Sequence, residues 1–183
     1  MNELKQRLAR LLMDKSYLSG DVTLTSGKKS GYYFDCKQTA LHPEGAYLLG
    51  RLLLERLQPE VQGVGGLTLG ADPLVSAVTV VSYLENRPLP GFIVRKKAKG
   101  HGTKSYLEGL ANFQDGDQVA VLEDVVTTGT SLLQACERVS QAGLVVCQVV
   151  CLLDRGEGGR EALLEQGYQL EALYTREDLL EAR

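Results

Sequence analysis

Strand-like apolar segments that alternate with helical segments are the feature that most narrows the fold of this chain. Two largely apolar runs, at 118–123 and 144–153, are typical of strands that are buried on both faces of a sheet. A helical pattern at 130–142 lies between them and ends at Gly143. The alternation predicts an α/β fold with a central parallel sheet flanked by helices.

The rest of the chain continues this alternation. Further strands are predicted at 22–25, 32–35, 61–66, 91–94 and 168–173. Apolar residues at helical spacing, or a proline suited to a first helical turn, predict helices at 2–15, 43–57, 72–85, 160–166 and 175–182. No repeat or linker interrupts the pattern, so we expect a single domain over 1–183.

Charge, hydropathy and cysteine usage exclude several classes of protein. The net charge of −3 argues against general nucleic-acid binding, and no apolar run is long enough to cross a membrane. The four cysteines form no CxxC pair and have no histidine beside them: Cys36, Cys136, Cys147 and Cys151. We therefore expect free, mostly buried thiols in a cytoplasmic protein, and neither a metal site nor disulfides.

The carboxyl ends of the predicted strands are where a ligand should bind, because open α/β sheets bind ligands there. The run at 118–123 delivers Glu123 and Asp124 to such an end, and a loop rich in threonine and glycine follows. Backbone N–H groups and hydroxyls of 126–131 at a helix N-terminus suit a phosphate, which Gly129 lets the backbone approach. The alternative is an acidic strand end followed by a threonine-rich helix cap.

Residues 119–131, VAVLEDVVTTGTS, resemble the phosphoribosyl pyrophosphate (PRPP) motif of type I phosphoribosyltransferases. That motif has two acids and two apolar residues before Thr-x-Gly-Thr, and many members have Asp where this chain has Glu123. The resemblance implies the type I phosphoribosyltransferase fold, a catalytic role for Asp124, and Mg²⁺ held mainly through PRPP, and no residue is assigned as a direct metal ligand. The PRPP-binding positions that it implies are Glu123, Asp124, Val125, Val126, Thr127, Thr128, Gly129, Thr130 and Ser131.

A basic segment, RKKAKGHGTK at 95–104, follows the predicted strand at 91–94. Its cations suit a pyrophosphate leaving group, and its two glycines suit a lid that closes over substrate. The alternative is a solvated charge run or a nucleic-acid patch. The pattern Arg-Lys-x-x-Lys-x-His-Gly is similar to the catalytic loop of orotate phosphoribosyltransferases.

This similarity implies PRPP contacts from Arg95, Lys96, Lys99 and His101, with Lys99 and His101 catalytic. It also implies a homodimer in which the loop reaches across the interface, so that the active sites are shared. Lys97 and Lys104 fall outside the matched positions.

Orotate is the second substrate that the resemblance implies, and the similarity extends from about residue 16 to 160. Arg155 and Thr127 match the family's orotate contacts, and the planar guanidinium suits a carboxylate. An Arg–Asp surface pair is the alternative for Arg155. Gly65, Gly66 and Gly70 suit a tight turn against pyrophosphate.

Residues 23–35 resemble the family's hood over the orotate ring, which implies a small N-terminal hood mainly from 1–40 and a catalytic core at 41–183. Tyr33 and Phe34 are expected either to pack on the base or to form the core of the hood. Thr25 stands where many short bacterial members have lysine, and Lys28 and Lys29 are the candidates to replace it.

The motifs together imply transfer of the ribosyl-5-phosphate group from PRPP to orotate, which gives orotidine 5′-phosphate and pyrophosphate in pyrimidine biosynthesis. Two other functions agree less well with the sequence. A phosphoribosyltransferase for another base disagrees with the lid motif and with Arg155. A PRPP-sensing regulatory protein that binds nucleic acid disagrees with the acidic net charge and the lack of an added nucleic-acid-binding segment.

Overall fold

A six-stranded sheet forms the centre of this computed structural model, which describes residues 3–23, 29–98 and 106–181. The strands of the molecule, in chain order, are β1 (Tyr17–Thr23), β2 (Lys29–Phe34), β3 (Gly63–Leu67), β4 (Gly91–Val94), β5 (Leu107–Glu108), β6 (Gln118–Val126), β7 (Val145–Asp154) and β8 (Leu170–Thr175). The large sheet has the order β5-β4-β3-β6-β7-β8, and all its pairs are parallel except β4–β5. The predicted α/β fold with a central parallel sheet is confirmed.

Seven α-helices accompany these strands in the part of the chain that the structure describes. They are α1 (Glu3–Lys15), α2 (Cys36–Ala40), α3 (Pro43–Arg56), α4 (Asp72–Leu84), α5 (Thr130–Gln141), α6 (Gly159–Glu165) and α7 (Arg176–Glu181). The pattern did not predict α2, because five residues are too short to show helical periodicity. The sequence pattern did not predict the two-residue edge strand β5 either. None of the helices in the described ranges is long and apolar enough to cross a membrane.

The two faces of the sheet carry separate hydrophobic clusters, and β6 contributes to both. Ala120 and Leu122 belong to the cluster that contains buried residues of α1, α3 and α4. Val119 and Val121, at the alternate positions, belong to the cluster with buried residues of α5 and α6. Successive side chains of a strand point to opposite faces, so this one strand anchors helices on both sides and is held rigidly.

A small antiparallel hairpin, β1–β2, precedes the sheet and corresponds to the expected hood. Its first strand begins at Tyr17, earlier than the predicted 22–25, because Tyr17 and Leu18 pair with Phe34 and Tyr33. Thr25 and Lys28 lie outside the described residues, as do Lys99, His101 and Lys104, and the side chain of Lys29 is not described either.

All four cysteines are free thiols, as the sequence predicts. Cys36, Cys136 and Cys151 are buried, and Cys147 is half-buried. Burial raises the pKa of the Cys136 thiol to about 12. A thiol that stays protonated in this way behaves as a small apolar group.

Candidate active site

The two adjacent acids lie within the last part of β6, buried at the carboxyl edge of the sheet. The predicted strand ended at 123, but β6 continues to Val126 because Val125 and Val126 pair with Leu153 and Asp154 of β7. Glu123 and Asp124 are 6% and 9% exposed, so both carboxylates are largely withdrawn from water. The strand rather than a flexible loop therefore fixes where these two side chains lie.

Backbone N–H groups hold both carboxylates. Glu123 Oε1 accepts a hydrogen bond from the N–H of Asp124 at 3.2 Å, and Asp124 Oδ1 accepts one from the N–H of Val125 at 2.9 Å. Burial raises the pKa of Glu123 well above its ordinary value, the negative charge of Asp124 raises it further, and the charge of Lys96 opposes the rise. Two buried like charges side by side favour a cationic ligand.

Lys37 in α2 is a cation at this acidic pair that sequence reasoning missed. Its Nζ lies 2.8 Å from Asp35 Oδ1 and 3.8 Å from Asp124 Oδ2. Burial opposes ionisation of Asp35, but hydrogen bonds from Lys37 and Gln38 outweigh it and lower the pKa of Asp35. Lys37 is thus a fixed positive charge that offsets Asp124.

The loop after β6 has the form expected of a phosphate cradle. Residues 125–132 line a small cavity together with Glu123. Val126 is 2% exposed, so a ligand reaches its backbone rather than its side chain. Gly129 has a φ of 78°, and a Cβ there would lie 3.0 Å from the carbonyl oxygen of Gly159. Only glycine adopts this backbone without strain and leaves the room.

The loop from Thr68 to Asp72 borders the acids on the other side. A Cβ on Gly70 would overlap the Asp124 carboxylate, so this glycine permits the close approach. Thr68 Oγ1 donates to Asp72 Oδ2 at 2.8 Å and ties the loop to the start of α4. The prediction that Gly65 and Gly66 belong to a tight turn is wrong, because both lie inside β3. Side chains there would overlap Phe92 and the backbone of β6.

The basic segment begins at the same edge of the sheet. The backbone N–H of Arg95 donates to the carbonyl of Tyr106 at 2.7 Å and closes the base of the segment. Arg138 of α5 donates to the carbonyls of Arg95 and Lys96 and stacks 4.2 Å from the Tyr106 ring. The Arg95 guanidinium pairs with Glu108 at 2.8 Å. The described base is thus fixed at the edge of the sheet where β4 and β6 end, while Lys99 and His101 lie beyond the described residues.

Arg155 lies immediately after β7, beside the phosphate cradle. Its backbone N–H donates to the carbonyl of Val126 at 3.0 Å, so it is held next to Thr127, the other predicted orotate contact. The side chain is 7% exposed and pairs with Glu157 at 2.7 Å. The alternative of a surface pair with Asp154 does not hold, because Asp154 is buried and its carboxylate accepts from Arg160.

The aromatic residues of the hood divide between its two faces. Phe34 is 3% exposed and packs on Tyr17 and Tyr32, so it belongs to the core. Tyr33, which points the other way along the strand, is half-buried. Tyr32 lies with its ring centroid 5.3 Å from the guanidinium carbon of Arg155. Side chains two residues apart in a strand lie on the same face. The spacing of Tyr32 and Phe34 in the sequence could therefore have indicated that Tyr32 shares the core-facing side of β2.

Comparison with known proteins identifies the family. No protein-family model matches the chain. It is 51% identical over 179 residues to the orotate phosphoribosyltransferase of Nostoc sp., a match that covers 98% of this chain and 86% of that protein. The orotate phosphoribosyltransferase of Thermosynechococcus vestitus is also 51% identical, over 97% of this chain and 93% of its own length.

A solved structure shows the same architecture. The crystal structure of Mycobacterium tuberculosis orotate phosphoribosyltransferase in complex with PRPP is similar with a TM-score of 0.78 and 33% identity, over 96% of this chain and 98% of that one. The sheet edge that carries the buried acids, the phosphate cradle and Arg155 thus occurs in a fold shared with these enzymes. The chain belongs to the orotate phosphoribosyltransferase family.

Proposed function

We propose that the protein transfers the 5-phosphoribosyl group from PRPP to orotate, with release of pyrophosphate. The observation that carries this proposal is that one sheet edge brings together the buried Glu123–Asp124 pair, the phosphate cradle and Arg155. The cradle suits the 5′-phosphate and the acids suit the ribose, since each group meets partners of complementary charge. Arg155 suits the carboxylate of orotate.

The reaction exchanges one bond at the anomeric carbon of the ribose. The bond to pyrophosphate oxygen breaks, a bond to the ring nitrogen of orotate forms, and that nitrogen loses its proton. Positive charge develops on the ribose as pyrophosphate departs, and we assign to the Asp124 carboxylate the role of stabilising it. No covalent nucleophile is required, because positioning and charge stabilisation suffice. Lys99 and His101 are the proposed groups that bind the departing pyrophosphate.

Mg²⁺ is the proposed cofactor, held mainly through the oxygens of PRPP. The residues present fit this ion. Hard cations prefer oxygen ligands, and backbone hydrogen bonds to one oxygen of Glu123 and one of Asp124 hold the two carboxylates in place. A nearby dication would also favour the ionised form of Glu123, which burial disfavours. When bound, the ion neutralises part of the pyrophosphate charge.

The partner that we propose is a second copy of this chain, seated on an apolar face formed around α3 and α4. We call this surface the αface and define it by its large exposed apolar side chains, each at least 51% exposed. They are Leu41, Tyr47, Leu69, Val80, Tyr83 and Leu84. Such a patch marks an interaction surface. The αface continues to the active site, because Lys37 and Asp72 line the same groove as Leu69.

The proposed dimer predicts that one charge in the αface separates the subunits. Val80→Glu places a carboxylate within the interface, so the variant should be monomeric by analytical ultracentrifugation. It should also lose orotate turnover, because the proposed sites are shared. Leu164→Glu, which alters an equally exposed leucine on α6, is the control and should remain dimeric. A Val80→Glu variant that stays dimeric would refute this choice of interface.

A panel of bases tests the proposed function. Pyrophosphate release from PRPP is measured with orotate, uracil, adenine and hypoxanthine in turn. Release should be fastest with orotate, because only orotate carries a carboxylate for Arg155. Faster release with a purine would assign the protein to a different base.

A further inference from the structure

We propose that Arg176 is a second cation for the orotate carboxylate, beside Arg155, and that Tyr32 aligns the two. The inference rests on the proposed function and deepens it. It assigns a specificity role to a residue of α7, which comes near the end of the chain and after all the sequence motifs described above. The ligand chemistry is that of a planar base bearing a carboxylate.

The register of the sheet places the two arginines side by side. Asp154 at the end of β7 pairs with Thr175 at the end of β8. Arg155 and Arg176 are the next residues, so they leave adjacent parallel strands at the same edge. Neighbouring strands are about 4.8 Å apart, which allows two side chains at matched positions to meet one small anion.

The Tyr32 ring contacts both guanidinium groups. The guanidinium carbon of Arg155 lies 5.3 Å from the ring centroid, and that of Arg176 lies 5.9 Å from it. A hydrogen bond to the Tyr32 side chain, together with Glu177, raises the pKa of Arg176. Tyr32 is itself stacked on Tyr17 with an interplanar angle of 16°. The hood therefore fixes the ring that orients both cations.

The Arg155 side chain has a buried donor that a ligand could satisfy. The Nε of Arg155 is buried and has no hydrogen-bond partner among the residues that the structure describes. The acidic partners are close in sequence, since Arg155 pairs with Glu157 and Arg176 pairs with its own neighbour Glu177. The Arg176–Glu177 pair is exposed and therefore weak. An incoming carboxylate can displace it and also satisfy Arg155.

A purely structural role for Arg176 is the competing explanation. In that case the side chain only ties α7 to the hood through Tyr32. The two roles make different predictions, because a tie affects the stability of the fold and both substrates together. A contact with the carboxylate affects orotate alone.

The test uses the full chain with Arg176→Gln, which keeps a polar side chain and removes the charge. We expect the KM for orotate to rise by about 10- to 100-fold, the loss typical of one charge-assisted hydrogen bond. The KM for PRPP and the melting temperature should stay near those of the wild type. Activity with uracil, which lacks the carboxylate, should not fall. Arg10→Gln, an exposed arginine of α1, is the matched control.

Tyr32 provides the second variant. Tyr32→Phe keeps the ring and loses only the hydroxyl that hydrogen-bonds Arg176, so it should raise the KM for orotate less than Arg176→Gln does. Tyr32→Leu removes the ring as well and should raise the KM for orotate as Arg176→Gln does. An Arg176→Gln protein with an unchanged KM for orotate would overturn the inference, as would equal effects on orotate and PRPP. If the wild type itself does not use orotate, the proposed function fails instead, so the two failures are distinguishable.

Discussion

Asp124→Asn is expected to lower kcat/KM for PRPP by about 10²–10³-fold, the range found when one preorganised charge-stabilising group is removed from an active site. Asparagine has nearly the same shape and can still accept the backbone hydrogen bond from Val125. It lacks the negative charge that we propose stabilises the developing positive charge on ribose. Initial rates at varied PRPP and saturating orotate measure the effect.

The same substitution should leave the fold at least as stable. Glu123 and Asp124 are buried like charges, and Asp124 is one cause of the raised pKa of Glu123. Removing the charge of Asp124 relieves that repulsion. Lys37 loses its more distant partner at 3.8 Å but keeps Asp35 at 2.8 Å, so thermal unfolding should not shift downward. Asp14→Asn, at an exposed carboxylate of α1, serves as the control. Wild-type PRPP kinetics in Asp124→Asn would overturn the placement of this residue at the ribose.

Lys99→Ala and His101→Ala should each lower turnover by about 10²–10⁴-fold, the contribution typical of positioned acid–base or leaving-group catalysis. Both residues are proposed to act on pyrophosphate as its charge develops, so kcat should fall more than affinity for orotate. Steady-state rates with orotate and PRPP measure this. Lys97→Ala is the control, since Lys97 is exposed and outside the matched positions. Full turnover in either variant would remove the residue from the reaction.

Mixing two inactive variants tests whether the active sites are shared. If the basic segment of one subunit completes the site of its partner, a mixed dimer of Asp124→Asn and His101→Ala contains one site with both residues intact. Exchange of subunits should then restore orotate turnover. No recovery after subunit exchange has been verified would mean that each site is built from a single chain.

The shape of the proposed phosphate cradle was predictable because all its parts are contiguous in sequence. Glu123, Asp124 and Gly129 lie in one strand–loop–helix segment, so their order along the chain sets their order in space. The alternation of apolar runs with helices predicted the parallel sheet for the same local reason. The end of β6 was misjudged by three residues, because pairing with β7 rather than local pattern decides where the strand stops.

Contacts between distant segments were not predictable from the pattern. Lys37 meets Asp124 only because the short helix α2 packs beside β6. The spacing of apolar residues did not predict α2. Arg176 meets Tyr32 only because β8 lies at the edge of the sheet beside β7. Such contacts depend on strand order and register, which the local pattern of apolar residues does not reveal.

The most direct test of the account mixes purified protein with Mg²⁺, PRPP and orotate, and follows orotate absorbance together with pyrophosphate release. We expect orotate to disappear only when PRPP is present, with one pyrophosphate formed for each orotate consumed. Arg155→Gln should slow this loss, because it removes the proposed carboxylate contact. Unchanged orotate absorbance from a protein that still binds PRPP would contradict the account and indicate a PRPP-sensing regulatory protein.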